Sequence, residues 1–566
     1  MTDLATAQNV RDVFLARAQA HPDRTALIIA RGEEETRLTF GALAEAATRT
    51  AHHLSARFTP GTRIVLALPS GPEFVQSFLG CLFAGLIAVP VPEPGGSTAA
   101  QQRIAKIVQD CRPALTLVTS RDLDADVPGP IEAADTPHQA HAPLPTLTRD
   151  TLGVLQYSSG STGDPKGVMI SHGNILANVD EFRTGAAFEP DEIFGSWIPL
   201  HHDMGLFAFL STALLVGRPC ILMPPSDFVK RPISWLRLID RHRITVTAAP
   251  SFAYALCLRM ITDDQASTVD LSSLRYLFNG SEPIHVPTMQ AFTDRFTTSG
   301  LNPTAMSAGY GLAEATVSIS MRPAATTAIT QADPTTLEHG RVHPTTDPQS
   351  RLLVSCGTPF ACETLICDPQ TTQELPPGHI GELWLRGPSV AHGYWEKPTE
   401  TARTFHAAPA SSPTDTTWLR TGDLATLLNN EIHITGRLKE MMVIRGRNIF
   451  PQDLEHAARA AHPLLADFVG AAFGIQAPEE RVILVHEISP KARPEELPAA
   501  VAAVKNHLTG MLGTPIRDVV LLRRGTVRRT TSGKIQRSVM RSLFLAGDLR
   551  PVYAELAPEV RELISQ

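Results

Sequence analysis

The chain alternates short apolar runs with longer stretches in which apolar positions recur every three or four residues. Residues 63–68, 114–118, 219–223 and 245–248 are short apolar runs of strand length. Residues 101–111 and 233–241 have helical spacing, and each is followed by one of those runs. This alternation predicts an α/β protein with mostly buried strands. The longest apolar run, residues 78–89, ends at Pro90. It is about half as long as a bilayer span requires, so it predicts a buried helix running into a strand and no transmembrane segment.

Three stretches break the pattern with proline and small polar residues: 122–150, 322–350 and 406–417. They read as surface loops. Between about 356 and 434 the pattern is strand-like, with 382–386 and 432–435 separated by turns such as 376–378, which predicts a smaller β-rich subdomain. After Gly436 come a helix at 453–461, strands near 468–473 and 481–488, a helix at 495–511 and a helical tail at 542–566. The expectation is an N-terminal domain, residues 1–436, of two α/β subdomains and a β-rich one, followed by a small α+β domain, 437–566.

Composition narrows the function. The 566 residues are 43% apolar, enough for more than one core, and the net charge of -7 is spread without a basic stripe. Nucleic acid is not expected as a partner. Seven cysteines lie scattered without a CxxC pair, which indicates neither a zinc ribbon nor a complete disulfide framework. The N-terminus lacks the basic start and apolar run of a signal peptide. A cytoplasmic location is expected.

Candidate chemistry begins at residues 157–167, YSSGSTGDPKG. Ser158, Ser159, Ser161 and Thr162 supply hydroxyls, while Gly160 and Gly163 let backbone N–H groups close around phosphate oxygens. Lys166 adds a mobile positive charge. The spacing is not that of a Walker loop. The same composition also makes a plain flexible turn, so this stretch alone does not decide between a phosphate cradle and a turn.

Further motifs come in order along the chain: PLHHDMGL at 199–206, NGSEP at 279–283, AGYGLAEAT at 308–316, RTGDL at 420–424, GRLKEMMVIRGRNIFPQDLE at 436–455 and TTSGKIQR at 530–537. Tyr310 offers a flat face on which adenine can stack, or else a core tyrosine, and Gly309 and Gly311 permit close backbone approach. Asp423 is a short carboxylate beside a turn, either a ribose ligand or a turn cap. Lys534 follows Gly533 in a polar loop near the end of the second domain.

Together these motifs resemble the adenylate-forming superfamily of acyl-CoA synthetases, adenylation domains and beetle luciferases, over nearly the whole chain. The resemblance implies ATP as co-substrate. It implies that Asn279, Gly280, Ser281 and Glu282 belong to the wall opposite Tyr310, that Glu314 holds Mg²⁺, and that Thr316 supplies a further hydroxyl. Asp423 and Arg437 would contact ribose or phosphate, and His202 would gate or position the carboxylate. Lys534 would bridge carboxylate and α-phosphate, and Lys439 would be the hinge of a mobile C-terminal domain.

Within the superfamily the wording is most similar to the fatty acyl-AMP ligases. Residues 322–350 fall where that branch carries an insertion. The implied partners are a fatty acid and a separate acyl carrier protein, whose phosphopantetheine thiol would take the acyl group in polyketide or nonribosomal-peptide synthesis. An acyl-CoA synthetase and a degenerate binding protein of the same fold are the alternatives. An acyl pocket drawn from Trp197, Met204, Phe207, Phe252 and Leu312 is weighed against their being ordinary core.

Overall fold

The apolar runs become the centres of two sheets. The computed structural model describes residues 3–95, 98–135, 142–157, 165–322, 327–347, 350–444, 447–477, 479–512, 515–530 and 533–564. Five parallel strands, Ile131–Ala133, Leu115–Val118, Arg63–Leu66, Ile87–Pro90 and Leu152–Tyr157, form a six-stranded sheet with Gly167–Ser171 antiparallel at its edge. A nine-stranded sheet has a parallel centre that includes Val246–Ala249, Tyr276–Asn279 and Met306–Gly311, with antiparallel strands at both edges. Leu115–Val118 and Val246–Ala249 are buried at every position, as strands covered on both faces must be. Residues 78–89 divide into the helix Pro72–Phe83, which starts on a proline, and the strand Ile87–Pro90.

A four-stranded antiparallel sheet, Glu363–Cys367, Gly381–Arg386, Leu419–Leu428 and Glu431–Arg437, follows. Beyond it a second four-stranded sheet runs through Gly470–Ala477, Glu479–Glu487, Asp518–Leu522 and Tyr553–Glu555. Here the period of two is visible in the packing. Val482, Leu484, Val519 and Leu521 face one apolar cluster, and Ile483, Val485, Val520 and Leu522 face another on the opposite side. The clusters built by residues from Met442 onward are distinct from the large cluster that unites the first two sheets. Among the described residues no helix is long and apolar enough to cross a membrane.

Three sequence-based expectations need correction. Residues 122–150 contain the edge strand Ile131–Ala133. Residues 322–350 are not a bare loop: Ile329–Ala332 pairs with Arg351–Val354, the short helix Pro334–Glu338 follows, and Ala332, Leu337, Val342 and Leu353 make a small core of their own. The tail is not simply helical, because Tyr553–Glu555 joins the last sheet as a strand between the helices Arg537–Leu545 and Pro558–Ile564.

Candidate active site

The described strands on either side of the glycine- and serine-rich stretch form a hairpin. Leu152–Tyr157 and Gly167–Ser171 pair antiparallel, and their last rung is Tyr157 with Gly167. Ser158, Ser159, Gly160, Ser161, Thr162 and Gly163 lie outside the described residues. The flanks of the stretch are firmly built. A Cβ on Gly167 would stand 2.9 Å from the Tyr157 ring, so only glycine lets that ring lie across the rung. The Tyr157 hydroxyl donates to Asp110 at 2.6 Å, and Lys397 donates to the other Asp110 oxygen at 2.6 Å. Past the hairpin, Ser171 and Asn174 close a reciprocal cap on the helix His172–Gly185, which fixes the exit of the second strand.

The segment 391–395 ties this hairpin to the next element of the site. Trp395 N–H donates to the Gly167 carbonyl at 2.8 Å, Met169 N–H to Gly393 at 2.9 Å, and Ala391 N–H to Glu314 at 2.9 Å. Tyr394 consequently stands between two expected site residues. The Lys166 ammonium lies 4.9 Å from the centre of its ring, and its hydroxyl donates to Glu314 at 2.8 Å. Sequence reasoning did not single out Tyr394; the signal was the GYW triplet, whose tyrosine had no chemistry of its own to announce it.

A second cluster surrounds Asp423. Its two oxygens are taken from two sides, by the Tyr310 hydroxyl at 2.8 Å and by Arg437 Nε at 2.8 Å. Asp423 and Arg437 are cross-strand partners, so the sheet itself sets that pair. Burial and the neighbouring Asp423 charge push the Tyr310 hydroxyl well above the ordinary tyrosine range. The Asp423 charge holds the Arg437 guanidinium more firmly protonated than usual against the cost of burial. Arg437 keeps 53% of its side-chain surface, and that surface faces the cavity because Arg437 is one of its lining residues.

The backbone around Tyr310 explains its glycines. A Cβ on Gly280 would lie 2.8 Å from the Gly309 carbonyl, and one on Gly311 would lie 1.8 Å from the Val317 carbonyl. Asn279 is fully buried on the cavity wall, accepts from Ser251 at 3.2 Å, and has an Nδ2 with no hydrogen-bond partner among the described residues. Ser281 holds φ at +70°, an uncommon conformation for a residue with a side chain.

Thr316 is a correction. It sits at φ 65°, ψ −67°, the centre of a γ-turn closed by Val317 N–H to Ala315 at 2.8 Å. Its side chain is fully buried and donates to the Ser389 carbonyl at 2.8 Å. It is absent from the cavity wall, so the hydroxyl shapes the turn that carries Glu314 instead of meeting a nucleotide.

One cavity of about 1410 Å³ collects the described candidates: His202, Asn279, Gly280, Ser281, Glu282 and Lys166 with Gly309, Tyr310, Gly311, Glu314, Asp423, Arg437, Lys439 and Lys534. That volume exceeds a single small-molecule site of up to roughly 1,000 Å³ and leaves room for two substrates. His202 Nδ1 is 2.7 Å from Asp203, which also accepts the Met204 N–H at 2.7 Å. The Met204 N–H also donates to His202 Nδ1, at 3.2 Å, so this ring nitrogen is held between Asp203 and the start of the next turn. Met204 begins a π-helical turn, Met204–Ser211, whose wider winding is an irregularity often found at functional positions.

Lys534 reaches this cavity from the loop between Asp518–Leu522 and Arg537–Leu545. Burial lowers its affinity for a proton, Arg437 lowers it further, and Asp203, Glu282 and Asp423 oppose the change. Lys439 lies in the turn between Glu431–Arg437 and Met442–Ile444, where the packing passes from one set of clusters to the other. Burial and the charges of Lys166, Arg403 and Arg437 lower its proton affinity, with Glu314 opposing. Glu314 is one of several carboxylates on the cavity wall, and the described residues contain no cluster of three or more side chains that could hold a metal ion. Such a donor suits Mg²⁺ bound chiefly by phosphate oxygens and water.

The apolar part of the cavity includes Phe182, Phe209, Ala248, Phe278 and Met321. Of the residues weighed for an acyl pocket, Met204, Phe252 and Leu312 line it. Trp197 stacks on Phe228 with ring centres 4.0 Å apart, and Phe207 is buried; neither belongs to the wall.

Residues 14–395 match the AMP-binding enzyme family. A medium-chain-fatty-acid acyl-carrier-protein ligase of Moorena producens is 35% identical over 92% of each chain. A long-chain-fatty-acid–AMP ligase of Mycobacterium tuberculosis is 33% identical, over 94% of this chain and 96% of its own. Among solved structures, a fatty acid AMP ligase of Legionella pneumophila is similar with a TM-score of 0.76 and 31% identity, covering 98% of this chain and 99% of that one. A fatty acyl-adenylate ligase of the same organism, with the same coverage and TM-score of 0.76, was solved with acyl adenylate and pyrophosphate.

Proposed function

The chain belongs to the AMP-binding enzyme family, among the fatty acyl-AMP ligases, and from this we propose how its cavity divides the work. The enzyme is an ATP-dependent ligase that forms a fatty acyl-AMP. The fatty acid carboxylate, already ionised near neutral pH, attacks the α-phosphorus of ATP. A carboxylate–phosphorus bond forms through oxygen while the bond to the β-phosphate oxygen breaks, and pyrophosphate leaves with the electron pair. Two anions must approach for this to happen, so the reaction needs positive charge at the point of attack.

Lys534 supplies that charge between carboxylate and α-phosphate. The observation that carries the reading is its position: it comes from the last α+β portion of the chain, yet it lines one cavity with Asp423, Tyr310, Arg437 and Glu314. Tyr310 offers its face to adenine, Asn279 Nδ2 offers a donor beside it, and Asp423 accepts from the ribose hydroxyls. The glycine- and serine-rich stretch and Lys166 hold the β- and γ-phosphates. Glu314 would hold Mg²⁺, which would neutralise charge on the departing pyrophosphate. His202 and the π-helical turn it precedes position the incoming carboxylate, with the acyl chain along Phe182, Phe209 and Phe278.

Residues 1–436 form the adenylating domain, and 437–566 form a mobile one that turns about Lys439. Once Lys534 withdraws, the phosphopantetheine thiol of an acyl carrier protein attacks the acyl carbonyl, a thioester forms and AMP departs, as a step of polyketide or nonribosomal-peptide assembly. Residues 322–350 favour the carrier protein over coenzyme A, because they hold the second domain against the first through Glu338 and Arg447. The test is to incubate the enzyme with ATP, Mg²⁺ and a panel of fatty acids, with either coenzyme A or a phosphopantetheinylated carrier protein. Acyl-adenylate formation with transfer to the carrier protein is expected. Rapid acyl-CoA formation would replace the second half of this reading, and absence of adenylate with every acid would remove the first.

A further inference from the structure

Three contacts bring residues beyond 437 onto one small face of the N-terminal body, formed by the helix Ser251–Met260 and the NGSEP segment. His456 packs against His285 with ring centres 4.4 Å apart. Arg259 donates to the Asp467 carbonyl at 3.3 Å. Gly533, at φ +85°, lies against Phe252 so closely that a Cβ there would be 2.7 Å from the ring. The turn that presents Lys534 thus rests directly on Phe252.

Glu282 stands at the centre of this face. Its carboxylate accepts the Phe252 N–H at 2.7 Å, which caps the exposed first turn of the helix from outside. Glu282 lines the cavity together with three cations of the C-terminal portion, Lys534, Arg459 and Arg529. Burial raises the affinity of this carboxyl for a proton, and the Phe252 N–H and these three cations act against that rise. Arg459 carries a buried Nε that has no hydrogen-bond partner among the described residues. Ser281, just before Glu282, holds the positive φ already noted, an uncommon backbone state kept at the residue that leads into this carboxylate.

We infer that Glu282 is the docking carboxylate for the cationic face of residues 437–566, and through it a positioning residue for Lys534. The inference rests on the proposed role of Lys534 but names a different task, that of holding the adenylating arrangement closed. Glu282 spends one oxygen on Phe252 and offers its charge to Lys534, Arg459 and Arg529. Three cations converging on this face repel one another, and Glu282 adds to the counter-charge that Asp203 and Asp423 give Lys534 and that Glu455 gives Arg459. With Glu282 present the arrangement is attractive, and it is released when the second domain turns.

Glu282→Gln separates the charge from the cap, because its amide oxygen still accepts the Phe252 N–H. Nitroxide labels at Val229→Cys and Val552→Cys, both exposed positions, report the distance between the two parts by pulsed electron resonance. The seven native cysteines are buried, so labelling is selective. Glu282→Gln is expected to broaden the distance distribution, as is the pair Arg459→Gln with Arg529→Gln, and Glu282→Asp should partly restore it. In parallel, kcat for adenylate formation should fall about 10- to 100-fold in Glu282→Gln with KM for ATP little changed. An unchanged distance distribution overturns the inference. So does a rise in KM for ATP alone, which would make Glu282 a nucleotide contact. The distance measurement needs no turnover, so it reads docking even if the enzyme proves to make no adenylate.

Discussion

Asp423 has a lone-pair arrangement that leaves little freedom: Tyr310 and Arg437 each take one of its oxygens, and the remaining acceptor capacity faces the cavity. Asp423→Asn removes the charge and gives the Arg437 fork a donor where it needs an acceptor. KM for ATP is expected to rise about tenfold, with stability little affected, as steady-state pyrophosphate exchange would measure. Lys534→Ala should behave in the opposite sense. On its proposed role the charge acts chiefly as two anions meet, so kcat should fall by roughly 10²- to 10³-fold while ATP binding, followed by calorimetry, stays near normal. Thr316 provides the contrast within the same motif. Its hydroxyl is spent on Ser389, so Thr316→Val should cost about 1–3 kcal/mol of stability in denaturant unfolding and leave KM for ATP close to wild type in the folded fraction. Thr316 was expected to supply a hydroxyl beside Glu314 only because the family resemblance implied one there. The γ-turn that points it inward is set by backbone geometry that no residue type there declares.

At the scale of elements, legibility followed local pattern. The buried strands and the helices Thr98–Cys111 and Ile233–His242 were readable because their apolar spacing is uninterrupted. Residues 322–350 were not, because their strand Ile329–Ala332 alternates weakly and owes its core to Leu353 of the paired strand Arg351–Val354, to Leu428 of the four-stranded antiparallel sheet and to Ile380 just before one of that sheet's strands. Tyr553–Glu555 was missed for the same reason: three residues form a strand only because Asp518–Leu522 offers an open edge. The pairing of Leu152–Tyr157 with Gly167–Ser171 as a hairpin, and the strap of 391–395 that ties them to Glu314, are contacts between segments that no local pattern announces. Gly533 shows what the element scale adds to a motif. In the sequence it is a turn glycine; in the fold, its lack of a side chain is what permits the Lys534 turn to lie on Phe252. Gly533→Ala combines a left-handed backbone with a Cβ inside the Phe252 ring contact. It is expected to lower kcat for adenylate formation by about tenfold or more while KM for ATP changes little, because the turn must lift and carry the lysine with it.

For the whole molecule, the two parts of the chain meet at a surface that is charged on one side and holds paired histidines on the other. Glu338 and Asp453 pair with Arg447 and Arg351 across the 322–350 side, and His285 meets His456 on the Phe252 side. Both rings are kept neutral. Burial, aided by Arg459, pushes His285 down to about 4, and burial with His285, Arg459, Arg537 and Arg351 pushes His456 down to about 3. When the parts separate, each ring regains water and an ordinary affinity for protons, near 6.5. The separated state then binds more protons than the docked one at any pH between about 6.5 and about 4, so the docked state loses stability as pH falls through that window and loses none above it. If Lys534 acts as proposed, from the docked state, adenylate formation should therefore decline on the acid side of about pH 6.5. His285→Gln with His456→Gln keeps a hydrogen-bonding side chain at each position but removes both titrations. The ratio of pyrophosphate-exchange rates at pH 7.5 and pH 5, as chosen assay conditions, should be clearly smaller in that double variant than in wild type. An equal ratio would mean that the acid limb belongs to other groups, such as the buried His172 or His201, which burial pushes to about 4 and about 3 within the N-terminal body.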